Sequence, residues 1–233
     1  MMNNAIEKKL KERWARTLSR SAAELPQELI IGSFGEIRRH YSEKHRYYHN
    51  LSHIVRCLDL FDAVSKNTKD PLSLEIAIWL HDGIYDTDST DNEERSAEFA
   101  SSLLSKLTLP QKRIERVQEL ILATKHVGRE AGRETTGPAE TDSAYMQDID
   151  LSILGAPPDE YKDYMEAVRR EYAQYTEKQF NAGRVTLLLQ FLEKVRIYKT
   201  EFFFSRFEAR ARENLYRELR ERDPSESDVN LNQ

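Results

Sequence analysis

The segment Ile78-Trp79-Leu80-His81-Asp82-Gly83-Ile84-Tyr85 ends a strongly apolar run with a histidine and an aspartate side by side. Leu74, Ala77, Ile78, His81, Ile84 and Tyr85 recur at the three- and four-residue spacing of one helical face. That period predicts a helix, opened by Pro71 and Ser73 and running to about residue 85. It also turns His81 toward a core, with Asp82 at the border. A charge buried without a partner is costly, so this pair calls for an ion or a counter-charge.

The same period extends outward in both directions. Residues 6–20 and 27–41 read as amphipathic helices. Asn50 is placed to cap a third helix reaching about 64, because its side chain accepts from the first free backbone donors. Asp91 and Glu94 resemble a capping box for a helix through 107. Further helices are expected from 110 to about 126, 142–154, 159–175, 177–198 and 205–222. A loop is expected over 127–141. No segment alternates with period two, and only 8 glycines and 7 prolines are present, fewer than a sheet protein's turns require. The expectation is an all-α bundle forming one domain over 1–222, with a polar, disordered tail over 223–233.

Composition narrows the function. A net charge of -5 argues against a general nucleic-acid binder and against an anionic-membrane binder. Cys57 is the only cysteine, which excludes an intramolecular disulfide and a cysteine-based zinc site. Residues 1–11 lack the apolar core of a signal peptide. The apolar run 185–192 is too short to span a bilayer. A cytoplasmic protein is expected.

Helical phase also selects partners for His81 and Asp82. His53 lies on the stripe of Cys57, Leu60, Phe61 and Val64, and His49 joins it if the helix reaches back that far. Asp150 falls among Met146, Ile149 and Ile153, whereas Asp148 falls on a mixed face. A lone inward histidine is more often a satisfied core residue. Two histidines and two carboxylates meeting in one bundle fit that reading poorly. His53, His81, Asp82 and Asp150 suit a divalent ion (Mn, Mg, Co, Ni, Fe or Zn) with positions left open for water. An open metal position beside carboxylates points to hydrolysis.

In this order the residues resemble the H…HD…D signature of the HD-domain metal-dependent phosphohydrolases. Tyr48-His49-Asn50-Leu51-Ser52-His53-Ile54, Trp79 to Asp86, Asp91-Asn92-Glu93 with Ser96-Ala97, and Asp148 to Gly155 look like one subgroup of predicted phosphohydrolases. Arg169-Arg170-Glu171-Tyr172 and Gly183-Arg184 extend the likeness over most of the chain. The resemblance implies an HD-type helical bundle with added N- and C-terminal helices. It implies a metal among the central helices on His53, His81, Asp82 and Asp150, and hydrolysis of a small phosphorylated substrate, often a nucleotide. Some related proteins are iron oxygenases.

Around that centre, Glu93 shares the inward stripe of Ala97, Ala100, Leu103, Leu104 and Leu107. It is the candidate water-orienting base beside Asp82; the plain alternative is a first-turn acid favoured by the helix dipole. His49 and His126 are candidate catalytic or second-metal residues, and His126 could equally cap its helix. Arg46, Lys125, Arg169 and Arg184 are the candidate phosphate contacts, although most of the 35 basic residues belong on the surface. Tyr161, Tyr164, Tyr172 and Tyr175 form a stripe that more often means core packing than base stacking. The competing readings are a di-iron oxygenase, which needs more histidines, and a non-catalytic module that holds a metal or nucleotide.

Overall fold

The computed structural model describes residues 4–21, 25–125 and 141–222. His126, the expected loop over 127–141 except its last residue, and the expected tail lie outside them. Among the described residues there are ten α-helices and no strand. They are α1 (Asn4–Ser19), α2 (Gln27–Tyr41), α3 (Leu51–Val64), α4 (Pro71–Leu80), α5 (Asn92–Lys106), α6 (Gln111–Leu122), α7 (Asp142–Asp150), α8 (Pro158–Glu171), α9 (Glu177–Leu192) and α10 (Glu201–Arg222). Two 3₁₀ turns, Ser65–Asn67 and Leu151–Gly155, follow α3 and α7. The all-α expectation therefore holds. No described helix is long and apolar enough to cross a membrane.

Helix α4 is the centre of the packing. Every residue from Leu72 to Leu80 is buried, and the helix touches α1, α3, α5, α6 and α7. A helix apolar on all sides has no favourable place on a surface. Its one buried carboxylate, Glu75, meets Arg13 Nε of α1 and Arg20 Nη1 just after it, each at 2.9 Å. Its start is fixed by Pro71 in the first turn and by Asp70, whose carboxylate accepts from Ser73 N at 3.1 Å. Buried side chains from α1 through α10 join in one contact cluster.

Several sequence expectations need correction here; the helix expected over 177–198 ends at Leu192. The central helix stops at Leu80 rather than near residue 85. The Gly83 amide turns back to the Leu80 carbonyl at 3.0 Å. Arg46 takes the Asp82 and Gly83 carbonyls, and Ser96 Oγ bridges the Ile84 amide and carbonyl. These partners satisfy the backbone groups of the non-helical turn over 82–84. Nor does the Asp91–Glu94 capping box form. The Asp91 side chain makes no cap bond and accepts instead from Ser89 Oγ, while Glu94 pairs with Lys125 Nζ at 2.6 Å.

The C-terminal half closes against the 3₁₀ turn that follows α7. Helix α10 lies along this turn, and Asn214 Nδ2 donates to the Leu154 and Ala156 carbonyls at 2.9 Å each. Arg184 of α9 and Glu218 of α10 form a buried two-point ion pair at 2.9 and 3.0 Å, joined by the Tyr161 hydroxyl of α8 at 2.6 Å. Gly155 makes the close approach of α10 feasible. A Cβ at that position would lie 2.7 Å from both Cβ and the carbonyl oxygen of Phe207. Gly155→Ala is expected to lower stability by about 1–3 kcal/mol, as overpacking does. Chemical denaturation read by circular dichroism measures it, and an unchanged midpoint would contradict the close packing.

Candidate metal centre

Three elements bring four side chains together. Asn50 caps α3 by accepting from Ser52 N at 2.8 Å, so His53 enters the core within the first turn. His81 follows the last residue of α4. Its Nδ1 lies 3.0 Å from the Ile78 carbonyl, which can only accept. The proton therefore sits on Nδ1, and the Nε2 lone pair points away from the helix. Asp82 comes next in the chain, and Asp150 ends α7.

His53 Nε2 and His81 Nε2 face each other at 3.2 Å. His53 Nε2 lies 3.7 Å from Asp82 Oδ2 and 3.3 Å from Asp150 Oδ1. His81 Nε2 lies 3.2 Å from Asp82 Oδ2 and 3.4 Å from Asp150 Oδ1. Ligand atoms sharing an ion at about 2.0–2.2 Å stand roughly 3.0–3.6 Å apart at octahedral to tetrahedral angles. Four of these five separations fall in that range, and the 3.7 Å between His53 and Asp82 lies just beyond it. Asp82 Oδ2 is buried and has no hydrogen-bond partner. An unsatisfied buried carboxylate oxygen facing two imidazole nitrogens is the arrangement a cation completes. His53, His81, Asp82 and Asp150 could thus hold a metal ion.

The electrostatics follow from the same contacts. Burial pulls both imidazoles down. For His53 it wins, and the ring stays below its ordinary value. For His81 the neighbouring Asp82 and Asp150 carboxylates outweigh it, raising the ring well above its ordinary value. Burial pushes the Asp82 carboxyl up, but His81 outweighs it and holds the group far below the usual carboxylate range. The shell is also lopsided: the two histidine side chains are 1% exposed, Asp82 21% and Asp150 18%. One side is sealed by core, and the carboxylate side is open.

Asp148 takes no part in this shell, in agreement with its helical phase. It is neither solvated nor a ligand. It is fully buried and accepts from Lys199 N at 2.8 Å, and from Thr200 N and Oγ1 at 2.7 Å each, just before α10. Burial pushes its carboxyl up to about 6 despite those bonds.

The loop before α3 supplies a second layer. Arg46, expected to meet phosphate, is instead a buried clamp. Nε donates to Glu43 at 2.9 Å, Nη1 to the His49 and Asp82 carbonyls at 3.2 and 2.6 Å, and Nη2 to the Gly83 carbonyl at 3.1 Å. His49 precedes α3 rather than lying on it, and its ring centre is 6.1 Å from that of His53. Glu171, to which the sequence reading gave no role, accepts from the Tyr47, Tyr48 and His49 amides at 2.7–2.9 Å. It also faces His49 Nδ1 at 2.6 Å. Burial opposes charge on both groups, but each outweighs that for the other. His49 is raised and Glu171 lowered from their ordinary values.

The remaining candidates divide. Glu93 is half-buried in the first turn of α5, and burial raises its carboxyl. It lies within electrostatic range of Lys125 and Asp82. Lys125 bonds Glu94 at 2.6 Å and the Thr90 carbonyl at 3.1 Å. Arg169 is turned to the Tyr172 and Tyr175 carbonyls at 2.9 and 3.1 Å, and Arg184 is held by Glu218. Both are thus structural rather than gathered at the centre. Tyr161 is core, as its stripe suggested, and Tyr164 links it to Tyr48 with ring centres 5.5 and 4.7 Å apart. Open grooves of about 670 Å³ between α8 and α10 and about 560 Å³ around α1 include none of the four ligands.

Comparison with family models, with curated proteins and with solved structures finds no match.

The Asp148–Asp150 distinction is directly testable. At about 100 times the dissociation constant, Mn or Zn is expected to stabilise the wild type by about 2.7 kcal/mol. Asp150→Asn should remove most of that shift in a thermal melt. Asp148→Asn should lower the metal-free melting temperature yet keep the shift. The reverse pattern would exchange the two roles.

Proposed function

We propose that this protein is a metal-dependent hydrolase acting on a phosphate ester of a small molecule, with nucleotides among the candidate substrates. The observation that carries the reading is the meeting of His53, His81, Asp82 and Asp150 on one partly open point, with Asp82 Oδ2 left without a hydrogen-bond partner. Support also comes from the H…HD…D order of those residues and from the absence of a cysteine among them. Hard oxygen and imidazole ligands favour a hydrolytic divalent ion over a closed structural zinc site. On this reading the protein works in the cytoplasm on a diffusible substrate and does not bind nucleic acid generally.

A divalent ion held there supplies Lewis acidity, lowering the pKa of water and polarising the phosphoryl group. The chain supplies the rest. Asp82 would serve as a ligand, its Oδ2 facing both imidazole nitrogens. Glu93, whose carboxyl burial raises, is the better proton acceptor near neutral pH. Water adds to phosphorus and gives its proton to Glu93. The ester P–O bond breaks, the leaving alkoxide takes a proton from solvent water, and Glu93 returns its own proton to solvent. Of the four expected phosphate contacts, only Lys125 lies in the electrostatic neighbourhood of Glu93.

Two measurements test this. Metal analysis is joined to a panel of phosphomonoesters and phosphodiesters under Mn, Mg, Co and Ni. Asp82→Ala should cost more than the roughly 10–100-fold that loss of an outer partner costs. Activity that survives Asp82→Ala would sink the mechanism, and bound iron with oxygen consumption would favour the oxygenase reading. Glu93→Gln should lower kcat by about 10²–10⁴-fold while leaving metal content unchanged. Full activity in that variant would return the base role to another group.

A further inference from the structure

Glu171 is the last residue of α8, and its side chain is fully buried. One oxygen, Oε1, accepts from three consecutive amides, Tyr47 at 2.8 Å, Tyr48 at 2.7 Å and His49 at 2.9 Å. The other, Oε2, faces His49 Nδ1 at 2.6 Å and accepts the Tyr85 hydroxyl at 3.1 Å. An ionised carboxylate cannot donate, so the proton of this contact belongs to His49 Nδ1. The imidazole is held on its faces and edges as well. It stacks on Tyr85 with ring centres 4.1 Å apart, and Tyr48 meets it edge-on at 5.0 Å. His49 Nε2 has no partner among the described residues, and the ring shares the electrostatic surroundings of Asp82 and Asp150. A carboxylate behind an imidazole fixes its tautomer and its direction, as the Ile78 carbonyl does for His81.

We propose that Glu171 is a positioning residue that keeps the His49 proton on Nδ1, so that Nε2 presents a bare lone pair beside the metal centre and orients the attacking water. The kinetic part rests on the hydrolase reading; the tautomer part does not. The competing account is that Glu171 only shapes the 47–49 loop.

Glu171→Gln separates the two. Its amide oxygen can keep the three backbone bonds, while its NH₂ replaces Oε2 and can only donate. His49 Nδ1 must then accept, and the proton moves to Nε2. Long-range ¹H–¹⁵N NMR of the metal-free full chain at pH 9 reads this directly. Wild type is expected to show protonated Nδ1 and bare Nε2, and Glu171→Gln the reverse. In the Mn-loaded protein Glu171→Gln should lower kcat by about 10–100-fold with KM little changed. Adding His49→Ala should cause no further loss. A wild-type spectrum with Nε2 protonated overturns the proposal without any variant having to fold. So does a moved proton with undiminished kcat, or losses that multiply in the double variant. A wild type that hydrolyses no phosphate ester removes the hydrolase reading and the kinetic role with it, while the spectrum still decides the tautomer.

Discussion

The arrangement depends on the buried guanidinium of Arg46. It ties the carbonyl of His49, just before α3, to the carbonyls of Asp82 and Gly83, just after α4. His53 lies in α3 and His81 directly follows α4, so this one side chain ties together the segments that carry two candidate ligands it never touches. The clamp also explains the short α4. Backbone acceptors in the turn that follows the helix cost about 1–3 kcal/mol each when buried and unpaired, and Arg46 satisfies two of them. The charge of Arg46 is met in turn by Glu43 at 2.9 Å and by the faces of Tyr41 and Tyr85.

A second carboxylate repeats that logic at longer range. Glu171 joins the C-terminus of α8 to the same loop and reaches across more than a hundred residues to do so. Asp148 does likewise between α7 and the start of α10. The candidate ligands are therefore held by polar contacts that cross between helices, whereas apolar packing holds the helices themselves. This division has a physical basis. Burial is non-directional and brings helices together, while hydrogen bonds to backbone fix the angle at which each terminus ends.

The sequence made local features legible. Asn50 revealed a cap, because capping needs only neighbouring residues. His53, His81 and Asp150 revealed their direction, because phase is a local property of a helix. The separation of Asp150 from Asp148 has the same origin. Arg46, Arg169 and Arg184 could not be judged this way. An arginine pointed at phosphate and one pointed at carbonyls carry the same letter, and the partners of Arg46 and Arg184 at Gly83 and Glu218 become neighbours only through the fold. Glu171 was invisible for the same reason. Its neighbour Tyr172 drew the eye to an aromatic stripe, and nothing local marks which acid is buried. The end of α4 was misplaced because Ile84 and Tyr85 continue the helical period after the backbone has left the helix.

The sealed nature of α4 also divides the centre by timescale. His81 sits at the end of a helix buried on all sides, and opening it requires disrupting much of the core. His53 shares that burial, whereas Asp82 and Asp150 reach solvent. The imidazoles therefore behave as a fixed seat and the carboxylates as a hinge. An ion entering or leaving would cross the carboxylate side, where rearrangement is a side-chain event on the nanosecond scale. The histidine side would move only with unfolding of the molecule.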